Sequence, residues 1–361
     1  MTTTSKPVGA HIVGRFPLDS PEEVFRTISE HAGPLLRSMP DGETETNWIG
    51  QQFDILEQVP QLERRARMVS GLDAPLPSIG LREGAQAEDV TFPELGYARI
   101  AANSSEILTR LKRGGVVREG LRLQVNLPSP MTVTGIIIHE EDSKSLAPEY
   151  ERAMIREVER VLDTVPHDQL TIGWDIPAET VALEGGSIWE QQLPFDSSET
   201  AIVERLSQVA ASIPEDVPMG FHLCLGSMGN RHVLIPEDAR RQVSLMNRLV
   251  AELPRRVDWL HAPVPREADP QGYLAPYGEL RLAAATSLYL GAIDIADGLE
   301  GTRRRIQAAQ SVLATFGLGT VCGVGREHYS RENAIKILDM HAALAEPLAG
   351  QAGPRRMGAR P

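Results

Sequence analysis

The chain has 361 residues, 42% hydrophobic and 24% charged, with 36 Lys and Arg against 49 Asp and Glu, so its formal net charge is −13. That balance argues against nucleic acid and anionic membrane surfaces as partners, and no apolar run approaches the ~18 residues a membrane-spanning helix needs. The composition is that of a globular enzyme with ample core, long enough for two ordinary domains or one large α/β barrel.

Short apolar runs alternate with longer amphipathic segments from end to end, with no linker between them. This is βα repetition and predicts a parallel sheet. A first strand is expected over 10–14, followed by a turn through Phe16-Pro17 and a helix opening at Ser20-Pro21-Glu22-Glu23. There Ser20 is the N-cap, Pro21 occupies the first helical position, and Glu23 completes a capping box. A short strand near 36–39 ends in Met39-Pro40-Asp41-Gly42-Glu43, which places two carboxylates, Asp41 and Glu43, around a glycine. They are either a polar turn or part of a substrate site.

Further strands are expected over 121–127, 170–176, 219–224, 257–262, 288–295 and 320–324, with helices over 148–164, 198–213, 237–253, 301–315 and 330–345. Eight strands of this kind predict a single (β/α)8 TIM barrel over 1–348. The Gly-, Pro- and Arg-rich 349–361 then forms a disordered tail. Such a barrel builds its chemistry at the C-terminal strand ends, and the reactive residues cluster there. After the third strand, Ser129 sits in a Pro-braced loop that either lines a pocket or serves as a rigid connection. The next strand ends in Trp174 and Asp175, a flat aromatic beside a carboxylate, expected to contact substrate. His261 closes the strand over 257–262, and Asp294 lies in the strand over 288–295. Either could be an acid or base at the barrel mouth or a satisfied polar residue there. His31, His139, His167, His232 and His341 are expected at the surface and His11 packed in the first strand, with His328 undecided.

The two cysteines carry the most chemistry. Residues two apart in a strand share a face, so His222 and Cys224 can present an imidazole and a thiolate to one ion. Cys322 lies at another strand end, before a Gly-x-Gly. Three N and S donors with an open fourth position are the pattern of a catalytic zinc. The rival readings are two buried small hydrophobes or a disulfide. The opening Met1-Thr2-Thr3-Thr4, with no apolar signal segment, points instead to a cytoplasmic protein with reduced thiols.

Taken together these strand ends resemble the C-terminal catalytic barrel of the cobalamin-independent methionine synthase family, within the uroporphyrinogen decarboxylase-like superfamily. His222-Leu223-Cys224 is similar to that family's His-x-Cys zinc motif and Cys322-Gly323-Val324-Gly325-Arg326 to its final Cys-Gly-x-x-x-Arg segment. Ile172-Gly173-Trp174-Asp175-Ile176-Pro177 resembles the strand whose Asp contacts the amino acid substrate. Gly291-Ala292-Ile293-Asp294-Ile295 resembles the penultimate strand, and Val13-Gly14-Arg15-Phe16-Pro17 the opening turn. Pro40-Asp41-Gly42-Glu43-Thr44, with Trp48-Ile49 after it, is similar to a motif of an uncharacterised bacterial and fungal subgroup.

The departures are informative. The family supplies a Glu as a further zinc ligand where this chain has His261, which is therefore either a fourth ligand or an acid/base beside an open position. The family's His after Asp-Ile is Ala296, and its Asp-Glu-Pro is Asp175-Ile176-Pro177. These changes argue against a homocysteine methyltransferase. Other superfamily members, such as epoxyalkane:coenzyme M transferase, keep the zinc motifs and change thiol and donor.

The resemblance implies Zn2+ held by His222, Cys224 and Cys322, with or without His261, and a small thiol bound as a zinc thiolate that attacks an alkyl donor. Arg15, Asp41, Glu43, Ser129, Trp174 and Asp175 would contact substrate. Asp175, His261 and Asp294 are the candidate catalytic groups. A 5-methyltetrahydrofolate-like folate is one candidate donor, with Arg15, Arg326 and Lys336 the weak candidates for its glutamate tail. The rivals are a zinc lyase or hydrolase using the open position and a metal-free decarboxylase-like or ligand-binding barrel. The sequence sets no oligomeric state.

Overall fold

The computed structural model describes residues 6–44, 49–69, 75–188, 193, 195–226, 232–324 and 330–350. The strands among them are β1 (Ser38–Pro40), β2 (Leu62–Arg67), β3 (Leu76–Leu81), β4 (Arg122–Pro128), β5 (Leu170–Asp175), β6 (Met219–His222), β7 (Trp259–Pro263), β8 (Ser287–Ile293) and β9 (Gly317–Thr320). Seven of them form one parallel sheet in the order β1-β4-β5-β6-β7-β8-β9. Helices connect successive strands, as parallel pairing requires.

The first expected strand, 10–14, is not a strand. Gly9 and Gly14 adopt φ of +75° and +77°, a conformation open to glycine and costly for other residues, and they interrupt the segment on either side of its extended core. What survives is a short bridge. Ala10 pairs with Leu318 of β9 and with Leu36, just before β1, and the amides of Ala10 and His11 donate to the Leu35 and Leu318 carbonyls at 2.8 Å each. One segment thus bonds to both edges of the sheet.

The inner face of the sheet shows what it selects for. Gly173 on β5, Gly220 on β6 and Trp259 on β7 lie in register, and the indole fills the space over both glycines. A Cβ on Gly220 would stand 2.1 Å from Trp259 Cδ2 and one on Gly173 3.0 Å from Cη2. Strand alternation then carries Asp175, His222 and His261 onto this same face. Trp174, Phe221 and Leu260 fall on the opposite face, fully buried under the helical layer, each contributing about 1.5–3 kcal/mol by burial.

The helix at Pro21–Ala32 opens as expected, with the Glu23 amide donating to Ser20 Oγ at 3.3 Å. Its Glu23 carboxylate, however, accepts from the Asp19 amide at 3.0 Å. The helix expected from 148 begins earlier and spans Glu140–Thr164 with Pro148 inside it; Glu140, Glu141 and Asp142 in its first turn complement the helix dipole. Among the elements not foreseen are the helix Tyr97–Arg113 and the antiparallel hairpin of β2 and β3. Its first strand, β2, is charged, and polar anchors hold it. The buried Arg67 donates to the carbonyls of Ile136 at 3.1 Å and Ile138 at 3.0 Å and pairs with Glu140 at 3.2 Å. Among the described residues no helix is long and apolar enough to cross a membrane. The tail expected over 349–361 lies outside the described residues from 351 onward.

Candidate metal centre

His222 ends β6, and the chain then bends at once. The Cys224 amide donates to the His222 carbonyl at 3.1 Å, a three-residue turn that swings the thiol back toward the imidazole. The pairing foreseen from strand alternation is therefore present but built differently, because the strand stops at His222. Cys322 arrives from the far side, two residues past the end of β9, where Thr320 Oγ1 donates to the Cys322 carbonyl. The last strand lies earlier than expected, at Gly317–Thr320, which leaves Cys322 on a loop at the strand's C-terminal end.

Among the described residues, one nitrogen of His222 and the sulfurs of Cys224 and Cys322 lie within 4.8 Å of one another and form the one such cluster of potential ligands. The two Sγ atoms are 3.6 Å apart, far beyond the ~2.05 Å of a disulfide bond. Tetrahedral zinc with Zn–S of ~2.3 Å would hold two sulfurs ~3.8 Å apart. The His222 imidazole is buried beside these sulfurs, and a hydrogen bond to Cys322 and the charge of its sulfur both favour the protonated ring. The donor set and its spacing both fit zinc.

Behind this cluster stand two more imidazoles. His261 Nδ1 faces His222 Nδ1 at 2.8 Å, with ring centroids 4.6 Å apart and planes inclined by 21°; His261 is outside the three-residue ligand cluster. His11 stacks between Trp259, His261 and Tyr289, at centroid distances of 4.1, 5.5 and 5.1 Å. Burial, followed by the charge of His222, pushes His11 down to about 3, and the same causes take His261 well below the usual histidine range. Burial also pulls His222 down, but the Asp175 carboxylate and the Cys322 sulfur outweigh it and the net shift is upward. His341, expected at the surface, is fully buried, its Nδ1 bonded to the Ile337 carbonyl one helical turn back.

Asp175, at the end of β5, pairs in register with His222. Burial is the main cause that raises its carboxyl to about 7, and its Oδ1 has no hydrogen-bond partner. Trp174, expected beside it as a stacking surface, points to the other face of the sheet and belongs to the core. Ser129 caps the helix Pro130–Ile136, its Oγ accepting from the Thr132 amide at 2.9 Å, and is fully buried. Asp294 is satisfied too: its carboxylate accepts from Arg266 at 3.2 Å and from the Ala296 amide at 2.9 Å.

The opening turn and the Asp41 loop form a second polar group. Arg15 Nε donates to Glu43 at 3.2 Å, and Asp41 accepts from the Asn126 amide at 3.3 Å and the Glu43 amide at 3.4 Å. Burial and then the Glu43 charge push Asp41 up to about 7. The turn that carries Arg15 packs directly on the loop that carries Cys322, since a Cβ on Gly14 would lie 2.7 Å from Gly323 Cα. Arg326, His328 and Trp48 lie outside the described residues.

Glu179 escaped the sequence reading. It is fully buried on the helix Pro177–Leu183, accepts from Thr132 Oγ1 at 3.0 Å, and burial raises it to about 7. Its charge reaches Asp175. The motif Asp175-Ile176-Pro177 lost a neighbouring carboxylate, and one turn of helix later Glu179 supplies another; the available signal was an acidic residue inside the otherwise apolar stretch Pro177-Ala178-Glu179-Thr180-Val181-Ala182-Leu183.

No protein-family model matches the sequence, and no curated protein matches it. Solved structures do. A B12-independent methionine synthase from Shewanella sp. W3-18-1, in complex with selenomethionine, superposes with a TM-score of 0.61 at 14% identity, covering 94% of this chain and 96% of that one. A putative vitamin-B12 independent methionine synthase from Listeria monocytogenes gives a TM-score of 0.52 at 15% identity, over 90% of this chain and 85% of that one. At these identities the likeness is one of fold.

Proposed function

We propose that this chain is a zinc-dependent transferase that moves a methyl or other alkyl group onto a small thiol. Its catalytic unit would be one (β/α)8-type barrel over residues 1–348, in which the segment through Ala10 stands in for an eighth strand, and its compartment the cytoplasm. One observation carries the reading: His222, Cys224 and Cys322 converge within 4.8 Å at the C-terminal ends of parallel strands, the place where barrels of this kind carry their chemistry. The fold shared with a methionine synthase solved with selenomethionine supports it.

Zinc, when bound, supplies deprotonation of a thiol at neutral pH and a fixed place for its sulfur. The net reaction balances as R–SH + R′–X giving R–S–R′ + HX. The residues of this chain do the rest. His222, Cys224 and Cys322 would hold the metal. Their two thiolates would lend it electron density, which favours a nucleophilic substrate sulfur over the hydrolase alternative. Asp175, with an unpartnered oxygen on the same face, orients an ammonium or hydroxyl of the substrate. Arg15, Glu43 and Asp41 line the adjoining turn. Nothing among the described residues favours a folate donor, since Arg15 is paired with Glu43 and Lys336 lies exposed on the helix Arg331–Leu344.

The test is zinc stoichiometry by elemental analysis on the wild type, Cys224→Ala and Cys322→Ala, followed by thiol-consumption assays with alkyl donors. The reading requires about one zinc per chain, lost in both variants, and turnover that needs a thiol. A wild type that neither carries nor takes up zinc leaves a metal-free barrel. Zinc with thiol-independent turnover gives the lyase or hydrolase.

A further inference from the structure

The two facing nitrogens of His222 and His261 impose a constraint of their own. At 2.8 Å one hydrogen must sit between the two Nδ1 atoms, because two bare lone pairs would repel and two N–H groups would clash. If His261 donated, a neutral His222 would carry its hydrogen on Nε2 and could not bind a metal there. If His222 donates, its Nε2 is a bare lone pair. That second arrangement alone offers Nε2 to an ion shared with Cys224 and Cys322.

We infer that His261 is a positioning residue: its Nδ1 accepts the Nδ1 hydrogen of His222, fixing the tautomer that presents the His222 Nε2 to the metal, and it does not itself ligate. The inference rests on the zinc reading above. Metal-bound histidines usually give their second N–H to a carboxylate or a carbonyl; here an imidazole takes that place. The His261 ring is well fixed for the task. It is fully buried on the inner face of β7, in register with His222. On its far edge Gly319 leaves no slack, since a Cβ there would lie 2.5 Å from His261 Nε2. His11 packs against it at 5.5 Å between centroids.

The choice of acceptor changes the charge at the centre. Zn2+ with two thiolates and a neutral imidazole sums to zero, whereas a carboxylate ligand at the His261 position would make the site an anion. A thiol entering the open position loses its proton more readily beside a neutral centre than beside a negative one. His261 thus orients His222 without adding negative charge.

Three measurements decide it. In the metal-free wild type, nitrogen–proton NMR of 15N-labelled histidines should show a proton on His222 Nδ1 in a hydrogen bond to His261. In chelator competition, His261→Phe, which keeps a ring but has no acceptor, should bind zinc about 10- to 100-fold more weakly. His261→Asn, whose side-chain oxygen falls near the place of Nδ1, should recover most of that loss. X-ray absorption at zinc saturation should show one imidazole and two sulfurs from the protein in the wild type and in His261→Asn alike.

Two imidazoles on wild-type zinc would make His261 a ligand and overturn the inference. So would a His261→Phe affinity within about twofold of wild type, or an Asn variant as weak as Phe. Should the Phe variant fail to fold, the NMR of the wild type and the affinity of the Asn variant still decide. A wild type that binds no zinc would refute the proposed function, and this role with it; a zinc-binding wild type indifferent to His261 would refute the role alone.

Discussion

Glu179 offers a direct test of the electrostatics around the site. Its side chain is fully buried, its one hydrogen-bonded oxygen accepts from Thr132 Oγ1 at 3.0 Å, and burial holds its carboxyl at about 7, against an ordinary value of 4.5. That displacement corresponds to about 3 kcal/mol between the two protonation states. Below about pH 4.5 the folded and unfolded chains are both protonated at this position and it costs nothing. Between that point and about pH 7 the unfolded chain ionises while the folded one stays protonated, so stability falls as pH rises; above pH 7 the cost is constant. Glu179→Gln keeps the shape and removes the titration. Urea unfolding of both proteins, followed by tryptophan fluorescence, should therefore show the wild type losing about 2.5 kcal/mol relative to the variant between roughly pH 5 and pH 8. A difference that stays flat over that range would show that water or a cation reaches Glu179 and that the carboxyl is not buried as described.

Two further substitutions test placement. Gly14→Ala meets both a φ of +77° and a backbone contact of 2.7 Å with Gly323; it should cost about 1–2 kcal/mol in conformational strain alone and, by displacing the Cys322 loop, weaken zinc retention. Unfolding curves and chelator competition read the two effects separately, and a fully neutral variant would mean the two loops do not touch. Trp174→Phe removes part of a core side chain and should lower stability by about 1–3 kcal/mol while leaving the KM for thiol and donor unchanged. A raised KM with unaltered stability would restore Trp174 to the substrate pocket.

The parallel βα pattern was legible because it depends on spacing, and spacing survives in a linear string. All seven sheet strands fall within a few residues of where apolar runs predicted them, and Cys224 and Cys322 were legible because rare residue types stand at strand ends. What failed depended on geometry. Gly9 and Gly14 break the first strand through their φ angles, which glycine permits without requiring. Strand β2 of the hairpin is held by an ion pair and carbonyl contacts to a helix start some 70 residues away in the chain, so its charged sequence carried no strand signal, and β3, broken by Pro77 and Gly80, carried little. Trp174 and Asp175 were read together because they are adjacent, yet adjacency in a strand guarantees opposite faces; the register with Gly220 and Trp259, which only the folded sheet supplies, settles which face is inward. The same register explains His261. Its position in the chain left it as either a fourth ligand or an acid/base, but pairing with His222 across neighbouring strands brings the two rings nitrogen to nitrogen at 2.8 Å, and an imidazole already engaged with the His222 Nδ1 is placed to orient that ring.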